Sequence, residues 1–153
     1  MKNITRLALL LTSLASLAPI GSAQETGAPL ASKQKSYLAA YESVRAALAA
    51  DDLAGAKKAA MELLNASPKG SGDKSEAAVS AAQKIADAAS LANAREAFKT
   101  VSKHALSLAK GQPGYFHAHC PMVPNDEGDW VQTSKKINNP YFGNSMLTCG
   151  SIE

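Results

Sequence analysis

Apolar residues recur at intervals of three and four along much of the chain, the spacing that gives an α-helix one apolar face. The first stripe contains Tyr37, Tyr41, Val44 and Leu48. A second stripe, with its apolar side chains mostly small, runs from residue 53 to residue 64. The longest stripe runs from residue 91 to residue 108. We predict helices over residues 33–50, over 53–65, and across 73–110 with one break.

Residues that cap or interrupt helices set these boundaries. Asp51 and Asp52 can cap the start of the second helix, and a run rich in Gly, Pro and Ser ends it at residues 67–72. A single helix over residues 73–110 would extend roughly 57 Å at 1.5 Å per residue. Its neighbours would be under half as long and could not cover it. We therefore predict a break at residues 90–93, where Ser and Asn can cap a new helix.

Residues 114–153 have a different character. This tail has no sustained period, contains several Pro and Gly residues, and holds the only tryptophan, Trp130. An irregular segment of that length is tolerated in a compact domain when a disulfide or a metal ion ties it down. The predicted fold class is all-α: residues 33–153 form one domain, a four-helix bundle with an irregular C-terminal segment packed against it.

The N-terminus has the layout of a secretory signal peptide. Lys2 and Arg6 precede an apolar run over residues 7–20, and small residues follow it. That run is too short to cross ~30 Å of hydrocarbon, which takes ~20 apolar residues. We predict cleavage after Ala23, a flexible leader over residues 24–32, and a periplasmic or secreted protein with no membrane insertion after cleavage.

Removal of the signal peptide changes the charge balance. The 16 basic residues become 14 when Lys2 and Arg6 leave, against 13 acidic residues, so the net charge falls to +1. A nearly neutral chain without a basic, aromatic-rich cluster is not expected to bind nucleic acid. The sequence also lacks a Ser/His/Asp nucleophile pattern and a phosphate-binding glycine loop, so we expect no enzyme activity.

Two stretches of the tail concentrate the soft donor atoms of the chain, namely His117, His119, Cys120 and Met122 in the first and Met146 and Cys149 in the second. Thiolate, thioether and imidazole ligands suit Cu(I), because polarizable donors match a soft ion of low charge. Zn(II) would also accept two Cys with one or two His in a tetrahedron. We expect His117 and His119 on opposite faces of an extended segment, so that only one of them joins a given site.

A disulfide between Cys120 and Cys149 is the alternative interpretation, since an exported chain with two Cys can pair them. The bond would close a loop of roughly 30 residues, worth ~3–4 kcal/mol in the loop-entropy model. Met122 and Met146 would then fill gaps in the core. The two interpretations are compatible, because the bond would also bring both methionines near one histidine.

Several motifs of this chain resemble an uncharacterised family of exported domains. They are Tyr41 and Leu48 before Asp51-Asp52, Arg95-x-x-Phe98-x-x-x-Ser102, Cys120-Pro121-Met122, Trp130-x-Gln132, Asn139-Pro140-Tyr141-Phe142-Gly143 and Met146-Leu147-x-Cys149-Gly150. The family that the chain resembles occurs as stand-alone exported proteins. It also occurs fused to the periplasmic adaptor subunits of heavy-metal efflux pumps of the copper/silver type.

The resemblance implies a four-helix bundle with a tail folded against it, and a link to copper or silver. It implies that Cys120, Met122, Met146 and Cys149 bind Cu(I) or Ag(I), with a periplasmic adaptor or another metal-handling protein as partner. Two functional hypotheses follow. One is a periplasmic carrier or buffer of Cu(I) linked to heavy-metal efflux, and the other is a non-catalytic interaction module stapled by a disulfide.

Overall fold

The computed structural model describes residues 28–67 and 73–153. Four helices are followed by three short strands: α1 (Ser32–Ala49), α2 (Leu53–Ala66), α3 (Asp73–Ala86), α4 (Leu91–Ala109), β1 (Phe116–His119), β2 (Asp129–Gln132) and β3 (Ser151–Ile152). The predicted signal peptide, residues 1–23, lies outside the described residues, as do residues 24–27 of the predicted leader. Within the described ranges, no helix combines the length and the apolar character needed to cross a bilayer.

The helix boundaries follow the capping residues of the sequence. Asp52 caps α2, where its carboxylate accepts a hydrogen bond from the Gly55 backbone N–H at 2.8 Å. Ser90 caps α4, where its hydroxyl accepts one from the Asn93 N–H at 3.2 Å. The predicted break between the third and fourth helices is therefore confirmed, and it falls between Ala86 and Leu91.

The apolar stripes of the helices meet in one core. Tyr37, Tyr41, Val44 and Leu48 of α1 are each at most 1% exposed. The Tyr41 ring stacks on Phe98 of α4, with ring centroids 5.3 Å apart. Many of the remaining helical core positions are Ala, which lets the helices approach closely but leaves little apolar area to bury.

The prediction of a purely all-α fold is wrong in the tail, which forms a small antiparallel sheet in the order β2-β1-β3. Ala118 of β1 pairs with Trp130 on one side and with Ile152 on the other. The strands have four, four and two residues, which is too short for a sustained alternation of apolar and polar positions. β1 nevertheless carries that alternation in the order Phe-His-Ala-His, a signal compatible with a half-exposed strand.

Hydrogen bonds attach the sheet to the bundle. The hydroxyls of Tyr41 and Ser102 lie 2.8 Å apart in the core, and the Val131 N–H donates to Tyr41 Oη at 3.1 Å. The backbone carbonyl of Asp129 accepts from the Ser102 hydroxyl at 3.0 Å and from the Tyr141 hydroxyl at 2.6 Å. Burial raises the pKa of Tyr41 above its ordinary value, whereas the hydrogen bonds with Ser102 and Val131 oppose this shift.

Arg95 of α4 holds the irregular part of the tail. Its guanidinium donates to the backbone carbonyls of Pro140 and Leu48, both at 2.8 Å, and forms an ion pair with Asp51. The other carboxylate oxygen of Asp51 accepts from the Asn144 N–H at 3.0 Å. The hydrogen bonds from Arg95 and from Asn144 lower the pKa of Asp51. One side chain thus joins the α1–α2 turn to the segment around Pro140.

We expect Arg95→Ala to lower the free energy of unfolding by about 1–3 kcal/mol, because partly buried carbonyls lose their donors. Urea unfolding followed by Trp130 fluorescence measures this effect, since Trp130 is the only tryptophan and lies in the tail. Lys58→Ala, at an exposed position on α2, is the control and should change stability by no more than about 0.5 kcal/mol. Equal stability of both variants would show that Arg95 does not anchor the tail.

Candidate functional site

Cys120 and Cys149 lie side by side in the folded tail. Cys120 follows β1 and is fully buried, while Cys149 precedes β3 and is partly exposed. Both are free thiols that interact with each other. The interaction with Cys120, followed by burial, raises the pKa of Cys149 above its ordinary value. Binding of a metal ion here must therefore displace thiol protons.

Backbone and amide hydrogen bonds bring the two cysteines together. The Cys120 N–H donates to the Gly128 carbonyl at 3.0 Å, which continues the β1–β2 pairing by one residue. The fully buried Asn139 donates from its side-chain amide to the Cys149 carbonyl at 2.9 Å, and its backbone N–H donates to Leu147 at 2.8 Å. Asn139 therefore fixes the second sulfur-bearing stretch against the turn that begins the Asn-Pro-Tyr-Phe-Gly motif.

Close packing adds to this arrangement at Gly150. Its φ is +129°, a conformation that L side chains rarely adopt. A Cβ atom at this position would lie 2.7 Å from the His119 carbonyl oxygen and 2.9 Å from Cη2 of Trp130. Glycine is thus needed for the chain to pass between β1 and the indole directly after Cys149.

The two predicted thioether ligands flank the thiol pair in sequence. Met122 follows Cys120 by two positions and is 61% exposed. Met146 is partly buried, and its backbone carbonyl accepts a hydrogen bond from the Cys149 N–H at 3.0 Å. The tail therefore joins the two predicted sulfur-bearing stretches through their cysteines, with one methionine beside each of them in the chain.

His117 and His119 do not point toward the thiols. Successive side chains of a strand alternate between faces, so Ala118 and Cys120 share the buried face and the two histidines share the other. His117 Nε2 lies 2.7 Å from Asp129 Oδ1, and His119 Nδ1 lies 3.1 Å from the same oxygen. The expectation that the histidines face opposite directions was wrong, because residues i and i+2 of a strand line one face.

Asp129 and Glu153 complete a second group of polar side chains that the sequence analysis missed. Glu153 Oε2 lies 3.7 Å from His117 Nδ1. One ligand atom from each of His117, Asp129 and Glu153 can be chosen so that all three lie within 4.8 Å of one another. The signal for this group is the strand register, since His119 pairs with Asp129 and the Glu153 N–H donates to the His117 carbonyl. The spacing of these residues in the sequence does not reveal it.

A groove opens beside this second group. Its volume is about 520 Å³, and it lies between the C-terminal part of α4 and the sheet. Leu106, Ala109, Tyr115 and Val131 give it apolar walls, and His117, Asp129 and Glu153 line it as well. The groove gives a small ligand or an ion access to these polar side chains.

The model of one protein family, DUF3347, matches residues 37–113, which is half of the chain. The family is described as a protein of unknown function. The chain belongs to the DUF3347 family. No curated protein and no solved structure matches it. The DUF3347 match covers the bundle from within α1 to just beyond α4, so all the candidate ligands lie C-terminal to the matched region.

The matched DUF3347 region supplies the surface on which the tail folds. Tyr41, Arg95, Phe98 and Ser102 all lie within it, and each contacts the tail through its side chain. Phe98, for example, packs edge-on against Tyr141 with ring centroids 5.8 Å apart. Four of the helical residues that carry the family resemblance therefore hold the tail against the bundle.

Proposed function

We propose that this DUF3347 protein binds a soft cation, with Cu(I) as its cargo, and acts as a carrier or buffer linked to heavy-metal efflux. The contact between the Cys120 and Cys149 thiols is the observation that supports this proposal best. Two thiolates form a soft ligand pair that favours Cu(I), and thioethers belong to the same donor class. Ag(I) shares this preference, whereas Zn(II) would need additional nitrogen or oxygen ligands at this pair.

The burial of the thiol pair suits it to storing an ion, because a buried ion is shielded from reactions with the solvent. Cys120 is closed off from solvent, and the partial exposure of Cys149 leaves one side for the ion to enter. Met122 is exposed enough to take an ion at the surface and pass it to the thiols. This arrangement favours transfer and storage over catalysis, and we propose no enzyme activity.

The proposal includes export and a partner. A signal peptide over residues 1–23 would deliver the chain to the periplasm or the exterior, where a mature domain from residue 24 would act. The resemblance to domains fused to efflux-pump adaptors motivates a periplasmic adaptor, or another metal-handling protein, as the recipient of the ion. The proposal needs neither nucleic acid nor insertion into a membrane.

Competition with a Cu(I) chelator under anaerobic conditions tests the proposal. Replacing Met122 and Met146 together by alanine is expected to weaken Cu(I) binding by about 10–100-fold, the size of effect found when a supporting partner of a metal site is removed. Met61→Ala is a matched control, because Met61 is 60% exposed and lies on α2, outside the tail. It should bind Cu(I) as the wild type does. Wild-type binding no tighter than that of the double variant would contradict the proposal.

A second function rests on the same contact between thiols. Cys120 is fully buried beside Cys149, a position that also suits a permanent disulfide. The protein would then be a non-catalytic interaction module whose tail is stapled for docking to a partner. Intact-mass analysis of protein taken from the exported fraction separates the two functions. A fully oxidised pair without metal supports the module and contradicts the Cu(I) carrier.

A further inference from the structure

We infer that the other face of the sheet carries a separate cation site, formed by His117, Asp129 and Glu153, for a borderline divalent ion such as Zn²⁺. Each strand region supplies one part of it. The central strand β1 supplies His117, β2 supplies Asp129, and Glu153 follows β3 at the edge of the sheet. The short strands thus gather three ligands that are dispersed in the sequence.

The distances suit a metal ion in this group. Bonds of about 2.0–2.2 Å to nitrogen and oxygen place the ligands of tetrahedral Zn²⁺ about 3.4 Å apart. The three ligand atoms lie within 4.8 Å of one another, so small side-chain rotations would close them around an ion. The backbone is already fixed, because the Glu153 N–H donates to the His117 carbonyl at 3.0 Å.

The charges and donor types also fit a borderline divalent ion. Two carboxylates with a neutral imidazole carry two negative charges, which a divalent cation balances. Imidazole and carboxylate are ligands that Zn²⁺ accepts, whereas Cu(I) favours the sulfur atoms on the opposite face. Lys110 lines the same groove, but a Lys side chain is long and flexible and can turn its charge toward water.

His119 has a supporting role in this site. Its Nδ1 contacts Asp129 Oδ1 at 3.1 Å, and its Nε2 lies 3.5 Å from Asp126 Oδ1. An imidazole held between two carboxylates fixes the orientation of the Asp129 carboxylate, as the outer partners of metal sites do. With three protein ligands, one coordination position would stay open toward the groove of about 520 Å³.

The inference is independent of the proposed Cu(I) function. Cys120 and His119 are adjacent in the chain, so their side chains lie on opposite faces of the sheet. A variant that removes one site leaves the ligands of the other in place. Titration with each ion therefore tests the two proposals separately.

Calorimetric titration of the mature chain with Zn²⁺ alone tests the site. Asp129→Asn is expected to weaken Zn²⁺ binding at least about 10-fold. Loss of a residue that only supports a metal ligand already costs about 10-fold or more, and Asp129 is a direct ligand in this site. This change keeps the backbone carbonyl that holds Ser102 and Tyr141. Glu62→Gln, at an exposed position on α2, is the control and should bind Zn²⁺ unchanged, as should Cys149→Ser.

NMR of the wild type gives a second measurement that needs no variant. Zn²⁺ should shift the imidazole signals of His117 and His119. The signal of His104, which packs on Tyr37 in the bundle, should stay unchanged. The inference is overturned if Asp129→Asn binds Zn²⁺ like the wild type, if Cys149→Ser loses Zn²⁺ binding, or if neither tail histidine responds.

Discussion

Replacing Trp130 by alanine is expected to lower the free energy of unfolding by about 3–5 kcal/mol, among the largest effects of a single core truncation. Trp130 is 0% exposed and has the largest side chain among the fully buried residues that the structure describes. Its ring meets Tyr141 edge-on at a centroid distance of 6.1 Å, and its Nε1–H donates to Gln132 Oε1 at 2.9 Å. Alanine would leave a cavity and would also remove a donor from the buried Gln132 amide.

Urea unfolding followed by far-ultraviolet circular dichroism measures this loss, because the variant has no tryptophan to report by fluorescence. Trp130→Phe is the matched comparison, since it keeps most of the apolar volume and removes only the N–H. We expect it to lose less stability than Trp130→Ala. A loss below about 1 kcal/mol for Trp130→Ala would show that the tail does not share the core of the bundle.

Cys149→Ser is expected to weaken Cu(I) binding at least about 100-fold, because the ion loses a direct ligand. Loss of a residue that only supports a ligand costs up to about 100-fold. The hydroxyl is close to the thiol in size but is a hard donor that a soft ion avoids. Cys149 is partly exposed, so a hydroxyl there keeps contact with water and the fold should persist. Chelator competition gives the affinity, and circular dichroism checks the fold.

Thr148→Ser is the local control, because Thr148 is exposed and precedes Cys149 in the same turn. It should keep wild-type affinity for Cu(I). Retention of wild-type affinity by Cys149→Ser would remove the thiol pair from the proposed site. Loss of affinity in both variants would point to disturbance of the turn and would also count against a specific role of the thiol.

The helices could be predicted because their signals are local. The stripe from Tyr37 to Leu48 has helical spacing, and its members are all buried. Ser90 can act as a cap in any four-helix arrangement, so the break before α4 could be located without knowing how the helices pack. Length also contributed, since an unbroken helix over residues 73–110 would have had no partner long enough to cover it.

The tail was harder to predict because its contacts depend on backbone atoms and on register. Arg95 binds the carbonyls of Leu48 and Pro140, and every residue type has a carbonyl. β3 has two residues, so its pairing with β1 leaves no periodic pattern in the sequence. Asp129 and Glu153 become neighbours of His117 only through that pairing, which is why the sequence did not mark them as candidate ligands.

The sulfur-bearing stretches were partly predictable. Two cysteines in a chain that is predicted to be exported and has little apolar area to bury indicate that their stretches meet, and the structure brings both thiols together. Residue type alone makes either His117 or His119 a candidate third ligand of the same site. Strand alternation separates them from Cys120, because adjacent residues of β1 face opposite sides of the sheet.

X-ray absorption at the copper edge of the Cu(I)-loaded protein tests directly whether Cys120 and Cys149 hold the ion. We predict a first coordination shell of sulfur, with fewer sulfur neighbours in Cys149→Ser and an unchanged shell in Met61→Ala. A first shell of nitrogen and oxygen only, or the same sulfur shell in Cys149→Ser as in the wild type, would contradict the proposed site.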